Sequence, residues 1–378
     1  MKYIYLKVLP IVLVVLLLCG CATVADDSKS ASNHTNTFTN EQVKKYKSDL
    51  KFLLDGYSDK FSGQIFIARD GNILYDNSFG TADYKTGRKI DQNTTFSLGT
   101  GSFPFTATAI MMLQETGDLK VEDKISKYVP DYPYGENITI ENLLTGSSGM
   151  PNYLSDDNSL DKSKQYTFKD ILNLIINKPL DFQPGTKISN GFSDFAFLGY
   201  IIEKVSGQSY QDFITENIFK PLEMNNSGFY SQNTKSDNKA VGYDKLVPEP
   251  VESPVYDPSI LYPAGDMYST AEDLYKFDRI LYTEKLLKKS SIDKMLKGYI
   301  EAPDGYSKTG FGWVIQPNNS VYITGCNYGF YSSLFRDLDK NQVIIILSNL
   351  DTKDPANNGQ IGNIIKMIQG TLYISNSP

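Results

Sequence analysis

Apolar residues recur with two different periods along the chain, and the switches between them divide it. From 40 to 54, Val43, Tyr46, Leu50, Leu53 and Leu54 share one face, which predicts a helix capped by Asn40. Alternation then takes over. Residues 63–68 and 72–79 read as strands, and Arg69-Asp70-Gly71 between them reads as a hairpin turn. Helical spacing returns in a long central block. It holds 105–115, strongly apolar and closed by Gly117, and 138–144, opened by a Thr139/Asn142 capping pair. It continues with 194–205, then 210–218 stopped by Pro221, then 269–282 opened by Ser269-Thr270-Ala271-Glu272. Four more strands are expected over 312–316, 321–325, 331–336 and 343–349, and a closing helix over 361–372.

This order predicts an α/β chain of the α+β kind, in which both ends feed one antiparallel sheet and the middle forms a helical lobe. The expected domain covers 40–378, with a sheet lobe from 40–95 and about 300–378 and a helical lobe from about 96–299.

The stretch before residue 40 follows another grammar. Lys2 and Lys7 precede an apolar run over 8–18, broken only by Pro10, and Leu18-Cys19-Gly20-Cys21 follows. A basic start, a short apolar core and a small residue before the cut are the marks of an export signal. The run is shorter than the roughly 20 residues a spanning helix needs. Its end resembles a bacterial lipobox, with Cys21 as the lipidated residue. The expectation is a signal peptide over 1–20, a polar flexible tether over 21–39, and an extracytoplasmic domain held on the membrane through Cys21.

Composition narrows the chemistry. Lys+Arg number 37 and Asp+Glu 44, a net charge of −7, with no basic block, which argues against a nucleic-acid partner. The single histidine, His34, lies in the tether, so the folded part offers no imidazole for a metal site or a Ser-His-Asp triad. No Gly-rich phosphate loop or cluster of metal ligands appears, and neither cofactor nor metal is expected. Once Cys19 is cut away and Cys21 acylated, Cys326 has no partner and reads as a small, partly buried residue.

Short words then accumulate: Phe79-Gly80-Thr81-Ala82-Asp83-Tyr84, Leu143-Leu144-Thr145-Gly146-Ser147-Ser148-Gly149-Met150-Pro151, Pro184-Gly185-Thr186, Leu198-Gly199-Tyr200-Ile201-Ile202-Glu203-Lys204, Ser269-Thr270-Ala271-Glu272-Asp273-Leu274 and Gly310-Phe311-Gly312-Trp313. By these words the chain resembles the serine beta-lactamase-like and penicillin-binding protein family, in its class C and esterase-like branch, over about 61–349. The resemblance implies a beta-lactamase/transpeptidase-like fold and a chemistry carried by three motifs.

Each motif is altered. In the family's Ser-x-x-Lys, the serine attacks a carbonyl and the lysine one helical turn on moves its proton. Here Thr100 takes the serine's place, Phe103 the lysine's, and Ser102 lies between. In Tyr-x-Asn, the positions matched without gaps are Asn190 and Phe192, and a register shift with compensating gaps would place Ser189-Asn190 near the site instead. In Lys/His-Thr/Ser-Gly, Ile323-Thr324-Gly325 keeps the last two residues and loses the cation. Lys85-Thr86-Gly87 and Lys308-Thr309-Gly310 also spell the third motif, but neither aligns with the cleft strand.

Phe103, Phe192 and Ile323 replace polar groups together, which suggests a repacked cleft: a Lys or a buried Tyr hydroxyl left without partners is costly. Two readings stay open. One is a catalytically inactive envelope lipoprotein that binds a peptidoglycan-type peptide or an envelope protein. The other is an active acyl enzyme, a D-Ala-peptidase, beta-lactamase or esterase, using Thr100 as nucleophile with Ser102 or a water assisting.

Overall fold

A computed structural model of the chain describes residues 39–56, 61–155, 160, 161, 163–189, 191–230, 238–246, 248–262, 265–350, and positions 363, 364, 367 and 368. The hairpin of β1 (Gly63–Arg69) and β2 (Asn72–Phe79) turns on Asp70 and Gly71 at φ 49° and 77°, the left-handed pair that a two-residue hairpin turn requires. The remaining strands of the main sheet come from the other end of the chain. They are β3 (Ile300–Glu301), β4 (Lys308–Thr309), β5 (Val314–Ile315), β6 (Ser320–Asn327), β7 (Phe330–Asp337) and β8 (Gln342–Ser348). Among the described residues the sheet has eight strands in the order β3-β4-β5-β6-β7-β8-β1-β2, all paired antiparallel. Gly63 opposite Ser348 fixes the register of β1 on β8 and joins the two ends of the chain.

The run Val343–Leu347 is apolar at every position because both faces of β8 are covered. Val343, Ile345 and Leu347 point into the core under the helical lobe, and Ile344 and Ile346 into a second core on the opposite face. That second core is sealed by α1 (Asn40–Asp55) through Tyr46, Leu50 and Leu54. The cap of α1 is Thr39, not Asn40. Its hydroxyl accepts from the Gln42 N–H, and the Gln42 side chain returns to the Thr39 N–H, a reciprocal box that Asn40 cannot form from inside the first turn. The expected helix over 361–372 falls largely outside the described residues, although Ile364 and Ile368 are helical and buried in this layer.

The helical lobe contains α2 (Phe103–Thr116), α3 (Ile140–Leu144), α4 (Phe168–Ile175), α5 (Phe192–Ser206), α6 (Tyr210–Ile214), α7 (Ala271–Asp278) and α8 (Lys289–Met295). Helix α2 is apolar nearly all round because it is buried nearly all round. The expected long helix over 269–282 divides. Ser269 ends a short strand, Thr270 caps α7 by accepting from the Asp273 N–H, and a 3₁₀ turn, Arg279–Tyr282, follows. The segment over 210–218 also splits, into α6 and a π-helical turn. Helices α4 and α8 had no counterpart in the sequence pattern. Asp278 on α7 and Arg336 on β7, both fully buried, pair at 2.5 Å and tie the lobe to the sheet.

Candidate active-site cleft

The cleft lies where a 3₁₀ turn, Gly99–Ser102, runs into α2 against β6. Two glycines permit the approach. A Cβ on Gly325 would lie 1.9 Å from the Leu98 carbonyl oxygen, and one on Gly99 would lie 2.8 Å from the Cys326 carbonyl oxygen. Gly325 therefore holds a packing position, independent of whether a cation stands nearby.

Thr100 faces a cavity of about 370 Å³. Its Oγ1 donates to the Thr324 carbonyl oxygen at 2.7 Å. A carbonyl oxygen does not take up a proton at neutral pH, so this bond orients the hydroxyl without activating it. One turn on, Phe103 is only 6% exposed. Its ring stacks on Phe195 at 3.7 Å and 2°, and meets Phe192 edge-on at 6.2 Å and 80°. Such pairs add about 0.5–1.5 kcal/mol each beyond the area they bury. Gly191, in the left-handed conformation at φ 74°, lets the backbone sit under Phe103, where a Cβ would come within 3.2 Å of the ring. Two of these three rings, Phe103 and Phe192, are the positions that the sequence words match to the family's lysine and asparagine.

Ile323 and Thr324 line the wall on β6. Cys326 lines it too and is exposed, not partly buried as expected. With Gly325 turned toward the 3₁₀ turn, strand alternation sends its neighbours outward. Ser102 does not line the cleft. It is fully buried and its Oγ donates to the Gly99 carbonyl at 2.8 Å, because a 3₁₀ turn sets residue i+3 over residue i. Assistance to Thr100 from Ser102 has no geometric basis here. Asn190 lies outside the described residues. Thr309 and Gly310, expected away from the cleft, line its far wall where β4 leads toward β5, whereas Lys308 does not line it.

Asp194 and Trp313 escaped the sequence reading as site residues, whereas Ser189, offered by the shifted register, lines the cleft. Asp194, on the first turn of α5, is 1% exposed. Burial pushes its carboxyl up to about 7, against the opposing pull of the Ser148 and Ser189 hydroxyls. Ser189 lines the cleft and donates to Asp194 Oδ2 at a long 3.4 Å, while Oδ1 has no hydrogen-bond partner. The signal was present: an Asp inside the apolar stretch Phe192-Ser193-Asp194-Phe195-Ala196-Phe197 demands a partner. Trp313 also lines the cleft, and its indole N–H, like the Thr309 hydroxyl, is buried without a partner. Among the described residues the cleft thus offers apolar rings and two unsatisfied polar groups, with a buried carboxyl behind Ser189 that burial pushes up.

The Beta-lactamase family profile matches residues 53–365. A Bacillus subtilis protein named "Putative penicillin-binding protein PbpX" is 33% identical over 342 residues, covering 90% of this chain and 83% of its own. The crystal structure of a penicillin binding protein from Bacillus halodurans superposes with a TM-score of 0.74 at 26% identity, over 83% of this chain and 98% of its own. A D-amino acid amidase from Ochrobactrum anthropi superposes at 0.75 over 89% of this chain and 99% of its own; at 21% identity that likeness concerns the fold alone.

Proposed function

The chain belongs to the beta-lactamase/transpeptidase-like family of serine hydrolases and penicillin-binding proteins, and on that premise we propose that it is a non-hydrolytic binding module of the cell envelope. The observation that carries this reading is the aromatic trio. Phe103, stacked at 3.7 Å on Phe195, stands where the base should be, and a phenyl ring moves no proton. Losing acid–base assistance costs typically ~10²–10⁴ in rate. The Thr100 hydroxyl, bonded to the Thr324 carbonyl, gains no replacement base from that contact. The cavity persists, and the unpartnered Trp313 and Thr309 groups favour occupancy by a ligand with both apolar and polar parts.

Held on the membrane through a lipid on Cys21, such a module would face the wall and meet a peptidoglycan-type peptide or an envelope protein. A turnover assay with an activated phenyl ester and a D-alanyl peptide tests the reading. The expected result is turnover no faster than that of Thr100→Ala. Turnover that disappears in Thr100→Ala would make the chain a threonine acyl enzyme. A Cys21→Ser chain is expected in the medium rather than in the membrane fraction, and its retention on the membrane would remove the anchor from the account.

One observation favours the second reading, an active hydrolase. Asp194, held at about 7, is an acid–base group near the operating pH, and Ser189 joins it to the cleft at 3.4 Å. Turnover that survives Thr100→Ala and is lost in Ser189→Ala would select it.

A further inference from the structure

The walls of the cleft carry no charge. Among the described residues that line it, none is Lys, Arg, Asp or Glu. Two lysines stand one residue from a lining position, and neither reaches in. Lys187, before Ile188, is exposed outside the lining. Lys308, before Thr309, is turned by strand alternation to the other face of β4, where its side chain lies over Gly298. The apolar part of the wall is built of rings, Phe103, Phe192, Phe195 and Trp313, with Ile323 facing them from β6.

The hydroxyls of the wall direct their protons into the protein. Thr100 Oγ1 donates to the Thr324 carbonyl at 2.7 Å and Thr145 Oγ1 to the Glu141 carbonyl at 2.8 Å. Ser189 Oγ reaches the Gly146 carbonyl and Asp194 Oδ2, both at 3.4 Å. What these oxygens keep for a ligand is lone pairs. An N–H group finds acceptors there. A carboxylate finds lone pairs facing its own and no counter-charge to offset its loss of water. Asp194 adds to the mismatch. Burial raises its pKa and no cation is among the groups that act on it, so its ionised form would repel a second carboxylate.

The geometry points to a cleft that selects an uncharged aromatic amide, as an aromatic residue within a peptide chain presents, and rejects a free carboxylate. The ring of the ligand packs among the phenyl and indole rings, edge-on or offset. Its amide N–H is taken by the outward lone pairs of the wall hydroxyls. Ile323 sets the selectivity: it is partly exposed to the cleft, and its alkyl side chain keeps the β6 wall neutral. A chain terminus bearing a carboxylate is thereby excluded in favour of an internal or capped residue. The inference deepens the binding-module reading by naming the ligand class, and it rests on that reading only in treating the ligand as held and not cleaved.

The test titrates the full chain, in non-ionic detergent at neutral pH, with N-acetyl-phenylalaninamide and with its carboxylate match, N-acetyl-phenylalanine, followed by saturation-transfer NMR and calorimetry. The amide should bind about tenfold more tightly than the acid. Ile323→Lys supplies a counter-charge on the β6 wall and should abolish or reverse that preference. Ile323→Met, of similar length and uncharged, should retain it. Val314→Lys, at a partly exposed lining position on β5, repeats the reversal should Ile323→Lys fail to fold. Equal affinity for the two probes would overturn the proposal. So would binding of neither, or a preference that a folded lysine variant leaves untouched. Turnover or an acyl adduct would contradict the non-hydrolytic reading and leave the amide preference standing, whereas a preference for the acid would overturn this inference alone, so the two failures are distinguishable.

Discussion

The cleft and a second hollow, of about 270 Å³, share no lining residue and differ in chemistry. In the cleft, rings pack together: Phe103 lies flat on Phe195 with Phe192 at its edge. In the hollow, Glu252, Asp257 and Asp266 stand with Tyr230, Tyr256 and Tyr328 around open space. Between them, Gly99 and Gly325 keep the turn pressed on β6. Close packing of the backbone has been retained because any Cβ there collides, whereas the reactive side chains carried no such steric constraint. A shared fold therefore constrains the backbone at these glycines and leaves the side chains that line the cleft freer to vary.

The largest effect is expected where the turn is pressed on β6. Gly325→Ala places a Cβ 1.9 Å from the Leu98 carbonyl oxygen. It should cost more than about 4 kcal/mol and abolish cooperative unfolding at the wild-type midpoint, read by chemical denaturation. Phe103→Ala is expected next, at about 3–5 kcal/mol, since it empties a buried ring site and unstacks Phe195. It should enlarge the cleft without conferring turnover, because no base appears.

Asp194 gives a smaller, pH-dependent effect. Its folded-state value of about 7 lies above the 3.8 of an ordinary aspartate, so the folded protein binds this proton more tightly than the unfolded chain does. The stability it contributes is full below about pH 4 and is lost as pH rises through 7. Melting measured from pH 4 to pH 8 should thus show a falling component of up to about 4 kcal/mol, absent in Asp194→Asn. A component that rises with pH would show Asp194 ionised and well paired in the fold. The smallest effect is expected of Tyr230→Phe, within about 0.5 kcal/mol of wild type in stability, because its hydroxyl has no hydrogen-bond partner among the described residues.

Sequence reading reached the elements whose cause is local. Asp70-Gly71 marks its own turn, Thr139 and Asn142 mark their own cap, and the strands around β8 follow from an apolar run. The family words pointed to Thr100, Phe103, Phe192 and Ile323, and all four line the cleft. What escaped depends on contacts across long separations or on one-residue shifts. The cap moved from Asn40 to Thr39, and the start of α7 moved past Ser269, because neighbouring hydroxyl and amide residues compete for one role. Ser102 turned inward because three residues per turn, not 3.6, precede α2. The hollow gathers Tyr230, 252–258 and Tyr328 from segments with no shared pattern, and no periodicity announces such a gathering.

The most direct test of the central claim is the intact mass of the folded chain after exposure to a fluorophosphonate and, separately, to a penicillin. The account predicts no added mass from either reagent on a protein that melts cooperatively. A stoichiometric adduct that disappears in Thr100→Ala would contradict it, and would show that the cleft still carries out acyl chemistry despite the ring at Phe103.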